Sequence, residues 1–183
     1  MKYDELMKLI ANRRSCRNYD PERDVSDTNL QKALEAARLA PSACNKQPWR
    51  FIVVRDPELR KMICEKGLLP GIRMNWLADA PVILVICSTE KVVTHWLAPI
   101  LSGIQYQLID VGIAGAQLNL ALEALGLATC WIGWFNAKAV KRILGIPATL
   151  SPLALMPIGY EKEHAQPTPR LAMEEILRQD HWK

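Results

Sequence analysis

Apolar positions along this chain recur with a helical period of about 3.6 residues in some stretches and form short continuous runs in others, which marks helices and strands respectively. Tyr3–Asn12 places Leu6, Leu9 and Ile10 on one face, a short amphipathic helix that ends before Arg13. After Ser26, whose hydroxyl suits a helix start, Leu30, Leu34, Ala37 and Leu39 or Ala40 carry an apolar stripe as far as Pro41. Phe51–Val54 reads as a strand ended by Arg55-Asp56-Pro57, and Glu58–Lys66 as a helix closed by Gly67. Leu68–Leu77, with Pro70 and Gly71, has no clear period. Ala80–Cys87 is almost wholly apolar and β-branched, the pattern of a central strand covered on both faces, with Cys87 as a packed thiol.

Ile109–Gly126 predicts a long helix stopped by Gly126. Its small residues Gly112, Ala114, Gly115 and Ala116 fit close helix packing or the approach of a ligand, and its apolar length fits an interface between identical subunits. Leu127–Phe135 begins as a strand and reaches Gly133, where backbone can come close to a ligand. Asn136 caps a helix to Leu144, Gly145-Ile146-Pro147 ends it, and Leu153–Tyr160 is a further strand. A polar linker, Glu161–Pro169, leads past Arg170 to a helix expected over Ala172–Gln179.

With 183 residues, half of them apolar, the chain is expected to form one domain over residues 1–183. The net charge of +4, from 23 basic and 19 acidic residues, has no block of like charge, so a nucleic-acid partner is not expected. Five cysteines, at 16, 44, 64, 87 and 130, are odd in number and lack metal-finger or Cys-x-x-Cys spacing, which fits reduced thiols and no metal. Acidic residues stand near the amino terminus where a secretory signal would be apolar. The uncharged span Val92–Ile109 contains His95, Gln105 and Gln107, and Ile143–Tyr160 is broken by prolines, so no membrane partner is expected and the location is read as cytoplasmic.

Candidate chemistry gathers at two places. Arg13-Arg14-Ser15-Cys16-Arg17 offers three guanidiniums and a hydroxyl, which fits recognition of a phosphate and equally a solvated basic run. Ala40–Trp49 brings Pro41, Ser42, Ala43, Cys44, Asn45, Lys46 and Gln47 to the junction of a helix end and a strand. Its donors and acceptors suit a ligand with a phosphate at one end and a flat polar ring at the other, or simply turn the chain and satisfy its own backbone. Trp131 is the aromatic side chain expected beside a planar ring, and His95 has no partner at metal-ligand spacing. Ser42 lacks a nucleophile-elbow turn, and no Gly-x-Gly-x-x-Gly or phosphate-binding loop occurs. An anion clamp with amide-rich loops remains, which is what a cofactor performing its own chemistry needs.

Over nearly its whole length the chain resembles the nitroreductase-like family of FMN-dependent oxidoreductases in their short form. Four elements stand in the family's order: Arg13–Arg17; Pro41–Trp49; Asp110 through Leu127 with Thr129–Gly133; and Leu144–Pro147 with Pro157–Tyr160. The resemblance implies an α+β fold, a central mixed and mainly antiparallel sheet flanked by helices, in an intertwined homodimer with FMN at the interface. By motif, Arg13, Ser15, Arg17 and Arg170 hold the FMN phosphate and ribityl chain; Ser42, Asn45 and Gln47 approach the flavin from the partner subunit, on a loop that Pro41 and Ala43 help shape; Trp131, Ile132 and Gly133 face the isoalloxazine ring.

The activity implied is a ping-pong transfer of reducing equivalents from NADH or NADPH to an electron-poor small molecule, a nitroaromatic or quinone. No catalytic side chain is required. The alternatives are a flavin-storing or regulatory FMN-binding protein, and a specialised enzyme of the same fold that removes halide or oxidises a ring. In two places the chain departs from its relatives. Thr168 stands where they often have Lys, so that phosphate contact is absent or replaced by Arg14 or Lys46, and the Ser88–Asp110 region that covers substrate in longer relatives is short.

Overall fold

The computed structural model describes residues 2–89 and 103–182. The helices are α1 (Tyr3–Asn12), α2 (Asp27–Arg38), α3 (Pro57–Lys66), α4 (Tyr106–Ala124), α5 (Ala137–Ile143) and α6 (Met173–Ile176), and the strands are β1 (Trp49–Val54), β2 (Val82–Thr89), β3 (Ala128–Thr129) and β4 (Leu150–Gly159). Short 3₁₀ turns occupy Ala43–Asn45 and Asn75–Leu77.

Side-chain caps set several helix starts, at Ser26 and Asn136 as the sequence suggested and also at Asp56, which starts α3 at Pro57 rather than Glu58. Ser26 Oγ accepts from Asn29 N at 3.3 Å, Asp56 Oδ1 from Leu59 N at 2.8 Å and Asn136 Oδ1 from Ala139 N at 3.0 Å. Pro57 adds a pre-set φ at the first turn of α3.

The sheet has the order β1-β2-β4-β3, with antiparallel neighbours throughout. One isolated parallel bridge, Ser15↔Thr129, brings the amino-terminal segment alongside β3. Because successive side chains leave a strand on opposite faces, β2, buried from Val82 to Ser88, contributes to two cores. Val82, Leu84 and Ile86 pack with Leu30, Ala33 and Ala37 of α2 and Val111, Ala114, Leu118 and Leu122 of α4. Ile83, Val85 and Cys87 pack on the other face with Ile63 of α3 and Val140 of α5. Each such fully buried aliphatic side chain contributes roughly 1.5–3 kcal/mol, so the central strand is the best-anchored element.

Some elements differ in extent from the sequence reading. The tail helix covers only Met173–Ile176 rather than Ala172–Gln179, and residues 166–182 are exposed throughout, so no buried face propagates it. Leu127–Phe135 gives only a two-residue strand plus the bridge Ile132↔Leu155, because Cys130 and Trp131 leave the ladder. Cys87 is fully buried, as its strand pattern requires. No helix among the described residues is long and apolar enough to cross a membrane.

Candidate functional site

The segment after α1 is pinned by the bridge to β3, where Cys16 N donates to Thr129 O at 3.0 Å. Cys16 and Tyr19 enter the interior, while Arg13, Ser15 and Arg17 line an outer cavity. The buried Tyr19 hydroxyl lies 3.2 Å from both Cys16 O and Pro157 O, which fixes the segment from below. Burial pushes the Tyr19 phenol far above its ordinary range.

The tail runs beside this segment. Tyr19 bridges Glu161, Asp20 N donates to Tyr160 O at 2.8 Å, and Lys162 N donates to Asn18 O at 3.0 Å. Between them lies a cavity of about 280 Å³ lined by Arg13, Arg14, Ser15, Arg17, Gln166 and Arg170, with Thr168 at its wall. Four guanidiniums and no carboxylate line it, so its donor set fits a multiply charged anion such as a phosphate. Thr168 Oγ1 accepts from Arg170 Nη1 at 2.6 Å, so this residue orients the arginine rather than adding a cation. Arg14 Nη1 donates to the carbonyls of Ala11 and Arg13, which closes the end of α1, and Arg14 Nε has no partner among the described residues.

A second cavity, about 420 Å³, shares Arg13 and Ser15 with the first and is otherwise walled by Ile10, Ala116, Asn119, Leu120 and Trp131. Trp131 is 39% exposed and its six-membered ring lies against Gly115 of α4. Ile132 points the other way: its side chain is buried, and its N–H and C=O are both paired with Leu155 at 2.9 Å. Trp131 and Gly133 therefore remain on the outer side of this turn. Burial raises the Cys130 thiol above its ordinary range, although Arg17, the Ser15 hydroxyl and Arg13 favour the thiolate.

The Ser42–Gln47 loop is compact and strained. Cys44, Asn45 and Gln47 have φ of 50°, 52° and 48°, a left-handed region that costs a non-glycine residue of order 1–3 kcal/mol. Its shape is held from within: Gln47 N donates to Ser42 Oγ at 2.9 Å, and Gln47 Nε2 donates to Asn45 Oδ1 at 3.0 Å. It is also held from α4, where Asp110 Oδ1 accepts from Ala43 N at 3.0 Å. Pro41, Cys44 and Asn45 are exposed, and neither cavity around Arg13 is lined by residues 41–47 of the same chain. The structure thus joins Arg13, Arg14, Ser15, Arg17 and Arg170, sets Trp131 beside them, and leaves the loop on a separate surface.

The sequence pattern pointed to no role for Asn119 or Leu120, marked Asp110 only as the start of a motif, and left Gly115 open between helix packing and ligand approach. Asp110 did carry a signal, as the only charged residue between Leu108 and Leu122. His95 and Trp96, and most of the Ser88–Asp110 region, lie outside the described residues. A cavity of about 900 Å³ between the end of α3 and the Asn75–Leu77 turn contains none of the expected site residues.

The chain matches the profile of the Nitroreductase family over residues 10–70 and 65–160. It is 35% identical over 166 residues to an Archaeoglobus fulgidus protein that carries the provisional name NADH dehydrogenase/NAD(P)H nitroreductase, with 87% of each chain covered. It is 31% identical to the FMN reductase [NAD(P)H] of Bacillus subtilis, over 97% of this chain and 74% of that one. Among solved structures, a nitroreductase family protein of Clostridium difficile superposes with a TM-score of 0.79 at 30% identity, covering 100% of both chains.

Proposed function

This chain belongs to the Nitroreductase family, and on that premise we propose that it is an FMN-dependent oxidoreductase, built as one domain and working as a homodimer. It takes reducing equivalents from NADH or NADPH and delivers them to an electron-poor small molecule such as a nitroaromatic or a quinone. The observation that carries the reading is the acid-free cavity lined by Arg13, Arg14, Ser15, Arg17 and Arg170, joined through Arg13 and Ser15 to a second cavity walled by Trp131.

That pair of cavities fits FMN by its chemistry. The guanidiniums and the Ser15 hydroxyl suit a phosphate dianion, and the less polar neighbour, with Trp131, Leu120 and Ile10, suits a planar ring. When bound, FMN would supply the two-electron chemistry that links a reduced nicotinamide to the acceptor in the alternate half-reactions of a ping-pong cycle. The protein's part is to bind, orient and exclude water. Arg13, Ser15, Arg17 and Arg170 hold the phosphate; the outer side of the Trp131–Gly133 turn faces the ring; Ile132 anchors that turn to β4 and contributes rigidity rather than a free backbone donor.

The loop bearing Ser42, Asn45 and Gln47 lines neither cavity of its own chain, so it serves a flavin held by a second copy. Surface composition supports the pairing. Tyr3, Met7 and Ile10 on α1, Leu108 and Ile109 on α4, and Leu171, Ile176 and Trp182 in the tail are exposed in one chain and need a cover.

Anaerobic stopped-flow absorbance at about 450 nm tests the activity. Bleaching by NADH or NADPH, then recovery of colour on adding a quinone or nitroaromatic, is expected. A flavin that binds yet stays oxidised in excess reduced nicotinamide would replace the reductase reading with flavin storage.

A further inference from the structure

We propose that Asp110 is the positioning residue that fixes the Ser42–Gln47 loop in its flavin-binding shape; its effect on FMN rests on the function proposed above, its effect on the loop does not. Asp110 is only 3% exposed, on the buried face of α4. A buried carboxylate is costly unless its oxygens receive hydrogen bonds, and here Oδ1 receives the N–H of Ala43 at 3.0 Å. That N–H opens the Ala43–Asn45 turn, where a short helix leaves its first donors without internal partners.

The bond falls where the loop most needs external support. Immediately after it come Cys44, Asn45 and Gln47, all with φ near 50° and none of them glycine. The internal bonds among Ser42, Asn45 and Gln47 tie the loop to itself, whereas the bond to Asp110 ties it to the frame. The same helix meets Trp131 through Gly115, five residues or roughly 7.5 Å further along its axis. One rigid element therefore sets both the loop and the ring-facing turn, so that in a dimer each subunit's α4 fixes the parts contributed to both flavins.

The test uses Asp110→Ala, Asp110→Asn and Ala43→Pro. Asn keeps an acceptor oxygen at the same place. Pro removes the donor N–H from the other side, at a position preceded by extended backbone at Ser42. Two quantities are measured: amide hydrogen exchange of residues 43–47 in flavin-free protein, and the FMN dissociation constant by flavin fluorescence. In Asp110→Ala and Ala43→Pro, exchange in the loop should rise and FMN affinity fall on the order of tenfold or more, while Asp110→Asn stays within about threefold of wild type. Unchanged loop exchange in folded Asp110→Ala or Ala43→Pro protein would overturn the inference, as would an Asp110→Asn variant no better than Asp110→Ala. Wild-type protein that binds no FMN would overturn the functional reading instead, and the exchange data would still decide the role of Asp110 in the loop.

Discussion

The ring of Trp131 occupies the space where a side chain at position 115 would begin: a β-carbon on Gly115 would fall 2.2 Å from Trp131 Cζ3 and 2.9 Å from Cη2. Those are the far atoms of a partly exposed side chain, so the indole can swing outward. Gly115→Ala should change stability by less than about 1 kcal/mol, since lost packing is offset by the better helix propensity of alanine. Its effect should be on the cavity beside Arg13, where a displaced ring weakens FMN binding. A urea melt paired with a flavin titration checks both halves, and unchanged FMN affinity would separate Trp131 from the ring site.

Replacing both Arg13 and Arg17 by Ala removes two of the four guanidiniums that line the anion cavity. The two side chains are half-buried and exposed respectively, so stability should shift by no more than about 1 kcal/mol. FMN retained through gel filtration should fall sharply, and more so at high salt as the remaining charges are screened. Full retention by the double variant would remove these residues from the phosphate site.

Gly159→Ala should behave in the opposite way to Gly115→Ala. A β-carbon there meets Pro81 Cδ at 2.8 Å and Tyr19 Cδ1 at 3.0 Å. Neither neighbour can yield, because one is a ring closed on its own backbone and the other is a fully buried phenol within hydrogen-bond reach of two carbonyls. The variant should lose about 1–3 kcal/mol, read as a drop of several degrees in Tm.

Alkaline stability follows from two thiols, the buried Cys87 and the half-buried Cys64. Loss of solvation raises Cys87 to about 11 from an ordinary 9.0 against the opposing charge of Lys141, and raises Cys64 to about 11 against Arg60. The folded chain keeps these protons to a higher pH than the unfolded chain. Their contribution is therefore complete below about pH 9 and is lost as the pH rises through about 11. Cys87→Ala should flatten the fall in urea midpoint between about pH 8 and about pH 10.5; an equally steep fall would place the titration elsewhere.

Where local chemistry decides structure, the chain was legible. Ser26 and Asn136 cap the helices they were expected to cap, the Ala80–Cys87 run is the central strand, and Gly126 and Gly145 adopt the positive φ that ends helices. The grouping of Arg13, Ser15 and Arg17 around one cavity was also readable, because they are near neighbours in sequence. What escaped depends on contacts between distant segments. Nothing about Cys44, Asn45 and Gln47 announces left-handed backbone, since none is glycine, and the conformation is held partly by Asp110, 67 residues away from Ala43. The small residues of α4 fitted packing or ligand approach equally well until Trp131 was seen against Gly115. The tail helix was overestimated because its apolar residues face no partner within one chain.

In the proposed enzyme two copies of the chain share the enclosure of FMN, with the Arg13–Arg17 segment from one and the Ser42–Gln47 loop from the other. Size-exclusion chromatography with in-line light scattering and a visible spectrum tests it on freshly purified protein supplied with FMN. The account predicts a yellow species of twice the 20.7 kDa chain mass carrying FMN equimolar with chain. A folded, colourless monomer that takes up no flavin would contradict it.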